Sequence, residues 1–205
     1  MKRRAAQNIQ ASHAALLERG FFARDPLTCA RMLIGCELLW KGCGGVIVET
    51  EAYSARNDEA CHTFSRPSSR RFVADHPPGT AYVYLNYGVH WLLNFLVKGD
   101  SEDGFVLIRA LDPTCGIPDM RRRRKTDDPT RLCSGPGKLT QALGIDGSSH
   151  GFDFLRGNTL KILSSTSRPP IAVTPRVGIS KAADLPWRFV LNGNPHISTG
   201  PFFRK

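Results

Sequence analysis

The sequence predicts a single α+β domain. Three observations carry that reading. Short apolar runs of strand length are punctuated by 19 glycines and 14 prolines, which favours many turns over long helices. The helical stripes are brief and amphipathic rather than extended. No internal repeat and no linker divides the 205 residues.

The elements follow in order. Residues 1–20 are polar and Ala-rich and are expected to form a flexible N-terminal arm ahead of a domain over 21–205. Asp25 is placed as an N-cap with Pro26 at the first helical position, and Leu27, Met32 and Leu33 give the helix its apolar stripe up to about Gly35. "CELLW" and "GGVIVETEAY" read as strands joined by a glycine turn. The polar stretch from Ser54 to Gly79, "SARNDEACHTFSRPSSRRFVADHPPG", reads as a long connection without structure of its own. Connections of that length are uncommon and often functional. "TAYVYL" and "VHWLLNFLV" form a hairpin around Asn86, Tyr87 and Gly88, and "GFVLIRAL" is the next strand. "IPDMRRRRK" ends a short helix, and "GPGKLTQALGI" begins another with Leu139, Leu143 and Ile145 apolar. Short strands "TLKILS", "PRVGIS" and "RFVLNG" complete the chain.

Lys and Arg number 28 against 18 Asp and Glu, a formal net charge of +10. That balance favours a polyanionic partner, because neutralised phosphates release counterions. An ordinary basic protein is the plainer alternative. None of the six cysteines falls in a C-x-x-C pair, which argues against a zinc knuckle or redox motif. The first twenty residues lack an apolar core, so reduced thiols in a bacterial or nuclear interior are expected. No apolar run approaches the ~20 residues needed to span a bilayer.

Several residues could carry chemistry. All the tyrosines (Tyr53, Tyr82, Tyr84, Tyr87) lie close together in sequence, near Glu49, Glu51 and His62. Rings concentrated in a basic chain suit stacking on bases, worth about 1–3 kcal/mol per base. A packed aromatic cluster is the alternative, and is preferred for Tyr82. Strand alternation in "VIVETEAY" puts Ile47, Glu49, Glu51 and Tyr53 on one face. Paired glutamates there suit a general base; an edge strand with both glutamates in water is the other reading. The other histidines are scattered, so no metal is expected at His62, which stacks, hydrogen-bonds or serves the structure. Asn94 and Arg109 interrupt apolar strands and each requires a specific partner, since an unpaired buried polar group costs about 1–3 kcal/mol. Arg121 to Lys125 and the "SRPSSRR" run supply either phosphate contacts or a solvated face. "SGPGK" lacks the spacing of a phosphate loop, but its amides and Lys138 could hold one phosphate.

Together these residues resemble the alkyladenine (3-methyladenine, methylpurine) DNA glycosylases. The resemblance rests on "VETEAY", "DEACH", "PGTAYVYLNYGVHWLLN", "VLIRALDP", "LCSGPGKLTQALGI" and "PRVGIS", six blocks in order over residues 25–198. It implies one mixed domain with a curved antiparallel sheet flanked by short helices and long loops, and no cofactor. The implied reaction is hydrolysis of an N-glycosidic bond by a monomer on double-stranded DNA containing a damaged purine, away from membranes. The expected setting is the bacterial cytoplasm and nucleoid, or the nucleus.

The site residues follow from the same resemblance. Glu51 matches the general base that activates water, and Arg109 a residue that positions the water and the nucleotide. Tyr53, His62 and Tyr84 match the groups enclosing a flipped base, Asn94 the residue that reads the purine edge, and Val177 a backbone bordering the water. Tyr87 matches the tyrosine that intercalates into the gap. Arg70, Arg71 and Lys138 are expected at the DNA backbone. One stretch departs: where relatives carry Arg-Gly-x-Thr-Pro-Arg-Asn-x-x-Met-Phe, Arg71 replaces the Asn and Ala74-Asp75 replace Met-Phe.

The expected function is removal of alkylated or deaminated purines (3-methyladenine, 7-methylguanine, ethenoadenine, hypoxanthine), leaving an abasic site. A non-catalytic nucleic-acid-binding module on the same scaffold is the alternative. The retention of Glu51 argues against it, since pure binding has no use for a carboxylate facing phosphate. A glycosidase of free sugars using Glu49 and Glu51 fits poorly with the net charge.

Overall fold

The computed structural model describes residues 14–157, 159–167 and 169–198. Helices α1 (Arg19–Phe22) and α2 (Pro26–Leu33) precede strands β1 (Glu37–Trp40) and β2 (Cys43–Ser54). Helices α3 (His62–Ser65) and α4 (Pro67–Asp75) lead to β3 (Ala81–Asn86), β4 (His90–Lys98) and β5 (Asp103–Cys115). Then come α5 (Ile117–Arg124), α6 (Pro136–Leu143), β6 (Leu160–Leu163), β7 (Ile171–Thr174) and β8 (Arg188–Leu191).

Local chemistry sets most boundaries. The Asp25 carboxylate accepts from the Thr28 amide at 2.9 Å and Pro26 opens α2, as the cap pattern predicts. The β3–β4 hairpin turns through Tyr87 and Gly88, at φ 49° and 69°, closed by Val89 N donating to Asn86 O at 3.0 Å. Positive φ at both central residues matches the twist of the flanking strands. Glycine adopts it freely; a tyrosine there costs about 1–2 kcal/mol.

One antiparallel sheet of 8 strands organises the chain, in the order β3-β4-β5-β2-β1-β6, with β8 pairing β2 and β7 pairing β8. Strand β2 is the spine. Along one edge it pairs with β5 throughout; its other edge is shared by β1, near Cys43–Val46, and β8, near Glu49–Glu51. Alternation then divides the sheet's two faces. Val83, Leu93, Phe95, Val106 and Ile108 join the main core with α2 and α6. Tyr82, Leu96 and Phe105 face the other way, onto Cys61 and Phe72. The mixed α+β class with an antiparallel sheet and short helices is therefore the observed architecture, and no helix of the described residues is long and apolar enough to cross a membrane.

Three expectations change. The Ser54–Gly79 connection contains α3 and α4. Helix α4 looks polar because it buries only Ser69 and Phe72, so its sequence carries almost no apolar stripe. "PRVGIS" is a loop rather than a strand: β7 stops at Thr174, and Pro175 brings no amide to continue a ladder. Ile47 does not share a face with Glu49. Register shifts between Ile47 and Glu49, and again between Glu49 and Thr50, send Ile47 into the main core opposite Leu111. A bulge of this kind re-aims side chains, here those of Glu49 and Arg109. Of the segment read as an arm, residues 1–13 lie outside the described residues. The rest follows β6, with Leu17 N donating to Ile162 O at 2.8 Å and Ser164 N to Ala15 O at 2.7 Å.

The close approach of β2 to β5 makes a specific demand on Gly45, where a Cβ would collide with the Asp112 carbonyl. Gly45→Ala is expected to destabilise the protein by about 2 kcal/mol or more, measured by urea denaturation.

Candidate active site

A pocket of about 620 Å³ opens on the sheet face carrying Tyr82 and Phe105. Strands β2 to β5 form its floor, the α3 segment one wall, and the loop after β7 another. At its edge Glu51 is fully buried. Its Oε1 accepts from the Val177 amide at 2.7 Å, and its Oε2 from the Tyr53 hydroxyl at 2.8 Å and Arg109 Nη1 at 3.2 Å. Every partner is a donor, the complement of an ionised carboxylate.

Glu49, two residues earlier on the same face, is engaged differently. Its Oε1 accepts from Arg109 Nε at 2.9 Å, Arg188 Nε at 2.7 Å and Ser198 Oγ at 2.7 Å, and its Oε2 from Ser198 N at 2.5 Å. Arg109 therefore bridges the two glutamates, and Nη1 and Nη2 also reach Val177 O at 3.5 Å and Ser198 Oγ at 3.3 Å. Burial alone would lower the Arg109 pKa, but the carboxylates of Glu51 and Glu49 more than offset it and hold the group charged. The specific partner that Arg109 requires is thus supplied by protein carboxylates.

Among the rings that line the pocket are Tyr53, His62 and Tyr84. Tyr53 is held by its hydrogen bond to Glu51. Burial, then the Glu51 charge, raise its pKa well above the ordinary tyrosine value. The His62 ring lies 4.3 Å from the Tyr84 centroid at 60°, and His62 Nδ1 is 2.9 Å from the Tyr82 hydroxyl. Burial, with the Arg66 charge second, lowers the His62 pKa to about 4, so the ring is neutral near pH 7. Burial likewise raises Tyr84. Tyr82 belongs to the packed aromatic cluster, stacked on Phe105 at 4.4 Å, yet its hydroxyl also meets Ser69 Oγ at 2.8 Å and so fixes the His62 ring. Asn94 is buried on the pocket floor and donates from Nδ2 to Tyr82 O at 3.2 Å. Among the described residues no group of three or more His, Cys, Asp or Glu is placed to hold a metal ion.

The structure thus brings Arg109, Tyr53, His62, Tyr84, Asn94 and Val177 to one pocket, with Glu51 held directly behind Tyr53, Arg109 and Val177. Tyr87 stands at the rim, 87% exposed, between the exposed Leu85 and Val89. Arg70, Arg71 and Lys138 lie outside the lining. Arg70 Nη1 donates to Thr63 O at 2.7 Å, Arg71 pairs with Asp75 at 3.3 Å, and Lys138 Nζ donates to Ser134 Oγ at 3.2 Å. The Arg121–Lys125 run is partly structural: Arg123 donates to Ala142 O at 2.8 Å and Arg124 to Leu132 O at 3.1 Å, tying α5 to α6 and the strand-side loop. Sequence reasoning missed Ser198, Arg188 and the pairing of Asp58 with Arg176. No local spacing signals contacts between residues more than a hundred positions apart.

A fully buried carboxylate thus stands at the edge of a pocket walled by the rings of Tyr53, His62 and Tyr84. Residues 20–195 match the family model described as methylpurine-DNA glycosylase. Proteins named "Putative 3-methyladenine DNA glycosylase" align along most of the chain. That of Rhodopseudomonas palustris is 48% identical over 92% of this chain and 90% of its own length. The protein from Nitrobacter winogradskyi is 46% identical over 89% and 86%, and that from Chlorobium luteolum 49% over 76% and 80%. The chain belongs to the methylpurine-DNA glycosylase family, and so to the hydrolytic DNA glycosylases of base excision repair.

The neutral His62 has a consequence for stability. Between pH 6.5 and about 4 the unfolded chain takes up a proton at this residue that the folded chain refuses. Stability is therefore expected to fall as pH drops through that window. His62→Gln should reduce the pH dependence, leaving a share from His150, which burial also lowers. Chemical denaturation of both proteins at pH 7 and pH 4.5 measures the difference.

Proposed function

We propose that the chain removes N-methylated purines, 3-methyladenine and 7-methylguanine foremost, from double-stranded DNA. The base leaves the stack and enters the pocket between Tyr53, His62 and Tyr84, since chemistry on a base inside a duplex requires extrusion. Tyr87 fills the gap that remains. Glu51 takes the proton of a water that attacks the sugar C1′, and the bond to the base breaks with its electrons going to the base. Asn94 contacts the purine edge, and Arg109 holds Glu51 and the Val177 carbonyl beside the water.

The observation that carries this reading is a difference between the two glutamates. A carboxylate offers about four lone pairs. Among the described residues Glu49 accepts four hydrogen bonds, two of them from guanidinium groups, whereas Glu51 accepts three, every one from a residue that lines the pocket (Tyr53, Val177 and Arg109). Glu51 is thus the carboxylate that stands directly behind the pocket lining, while Glu49 is held by Arg109, Arg188 and Ser198 and serves the scaffold.

Substrate charge supports the lesion class. A methylated purine in DNA is cationic, so it departs as a neutral base without an acid. The ionisable pocket rings cannot readily supply a proton near pH 7: His62 is already neutral and the Tyr53 and Tyr84 pKa values are raised. Hypoxanthine and ethenoadenine, being neutral, are therefore proposed as slower substrates.

Duplexes carrying one 3-methyladenine, 7-methylguanine, ethenoadenine or hypoxanthine, incubated and then treated with alkali, should break at the methylated sites fastest. Absence of breaks with every lesion would overturn the proposal. Glu51→Gln should lower excision by about 10²–10⁴-fold while lesion binding persists; lost binding would make Glu51 structural. Tyr87→Ser should weaken retention of the lesion duplex in gel-shift titrations, and unchanged affinity would remove its wedge role.

A further inference from the structure

Asp58 and Arg176 form an ion pair that the proposed chemistry does not use. Both side chains are 0% exposed. The pairing is bidentate, Nη1 to Oδ2 at 2.7 Å and Nη2 to Oδ1 at 2.8 Å. Arg176 donates further to Ala52 O at 3.0 Å and Ala182 O at 3.2 Å, which ties the loop bearing Val177 to strand β2. Asp58 also accepts from the amides of Ser54 and Ala60, each at 3.1 Å.

The guanidinium carbon stands 4.6 Å from the centroid of the Tyr53 ring and 5.0 Å from that of Trp187. Tyr53 lines the pocket; Arg176 and Asp58 do not. The cation therefore lies behind the ring, on the side away from the cavity. An arginine cannot shed its proton in a protein. Left alone, its charge would sit one ring's thickness behind any ligand stacked on Tyr53, in surroundings too dry to screen it. The anchoring job calls for an arginine, because several carbonyl and carboxylate acceptors must be reached at once. Its charge is the unwanted part, and Asp58 cancels it.

We infer that the Asp58–Arg176 pair is a specificity determinant, keeping the space behind the Tyr53 platform electrically neutral so that the pocket accepts a cationic purine. The inference rests on the proposed role of Tyr53 as a wall for the flipped base. It separates two duties that one residue could not combine: Arg176 places the loop, and Asp58 sets the electrostatics that the base meets.

The test compares binding of two duplexes that differ only in charge at the lesion. One holds a 2′-fluoro-stabilised 7-methylguanine, which is cationic and resists cleavage; the other holds the neutral isostere 7-deaza-7-methylguanine on the same 2′-fluoro sugar. In D58N, confirmed as folded by thermal denaturation, the ratio of cationic to neutral affinity should fall by about tenfold. Asp58→Glu, which alters the packing but keeps the charge, should leave the ratio at the wild-type value. A purely structural role would weaken both duplexes alike, so an unchanged ratio in folded D58N overturns the inference. Should D58N not fold, Arg176→Met carries the test with the sign reversed: the remaining carboxylate raises the ratio, and an unchanged or lowered ratio overturns the inference. Wild-type protein that binds neither lesion better than undamaged duplex would instead refute the reading of the pocket itself.

Discussion

The rest of the site depends on a buried lattice of two carboxylates and two guanidinium groups: Glu49, Glu51, Arg109 and Arg188. Placing such charges out of water costs several kcal/mol per ion, which only close pairing and full hydrogen bonding offset. The lattice therefore constrains the fold. Glu49 and Glu51 come from β2, Arg109 from β5 and Arg188 from β8, so both edges of the spine strand must close around them. Ser198, at the far end of the described chain, supplies an amide and a hydroxyl to Glu49. A chain that failed to bring any one of these segments home would leave a charge buried without a partner. The site is thus assembled only when the fold is complete.

Within that lattice two identical side chains acquire different duties from their surroundings. Arg109 touches both, yet its Nε faces Glu49 and its Nη1 faces Glu51. The two register shifts that flank Glu49 in the β2–β5 pairing make this possible, since they bring Glu49 and Arg109 to the same side while Ile47 and Leu111 remain in the core. An unbroken ladder would have left Ile47 beside Glu49, an apolar group next to the most highly charged point of the interior. The irregularity marks the place where the demands of the core and of the site diverge.

The parts legible in the sequence are those that local chemistry decides. The cap at Asp25, the hairpin around Tyr87 and the alternation of Glu49, Glu51 and Tyr53 each depend on residues a few positions apart. Helix α4 escaped because a helix on the surface needs little apolar periodicity; Phe72 and Ser69 suffice to seat it. The loop at Pro175–Ser180 reads as a strand because Val and Ile alternate with small residues, a pattern that does not reveal where a ladder has lost its partner. Tyr82 was rightly placed in an aromatic cluster, but its hydrogen bond to His62 joins positions on different elements. Asp58 in "DEACH" and Arg176 in "PRVGIS" stand 118 positions apart, and nothing in either segment says that they meet.

A last tension concerns sign. The chain carries a net charge of +10, which suits a polyanion, whereas the proposed ligand in the pocket is a cation. The two are compatible only if the protein's positive charge is kept out of the base's way. Near pH 7 the pocket meets this demand by several routes: His62 is neutral and the tyrosine rings present electron-rich faces. Arg109 and Arg188 are matched by Glu49 and Glu51, and Arg176 by Asp58. Arg70, Arg71 and Lys138 remain outside the pocket lining, where a positive charge can serve a phosphate without repelling the base. Burial leaves each interior charge unscreened, so it is close pairing with an opposite charge that cancels its field and lets a basic protein keep its positive charge from dominating a cavity.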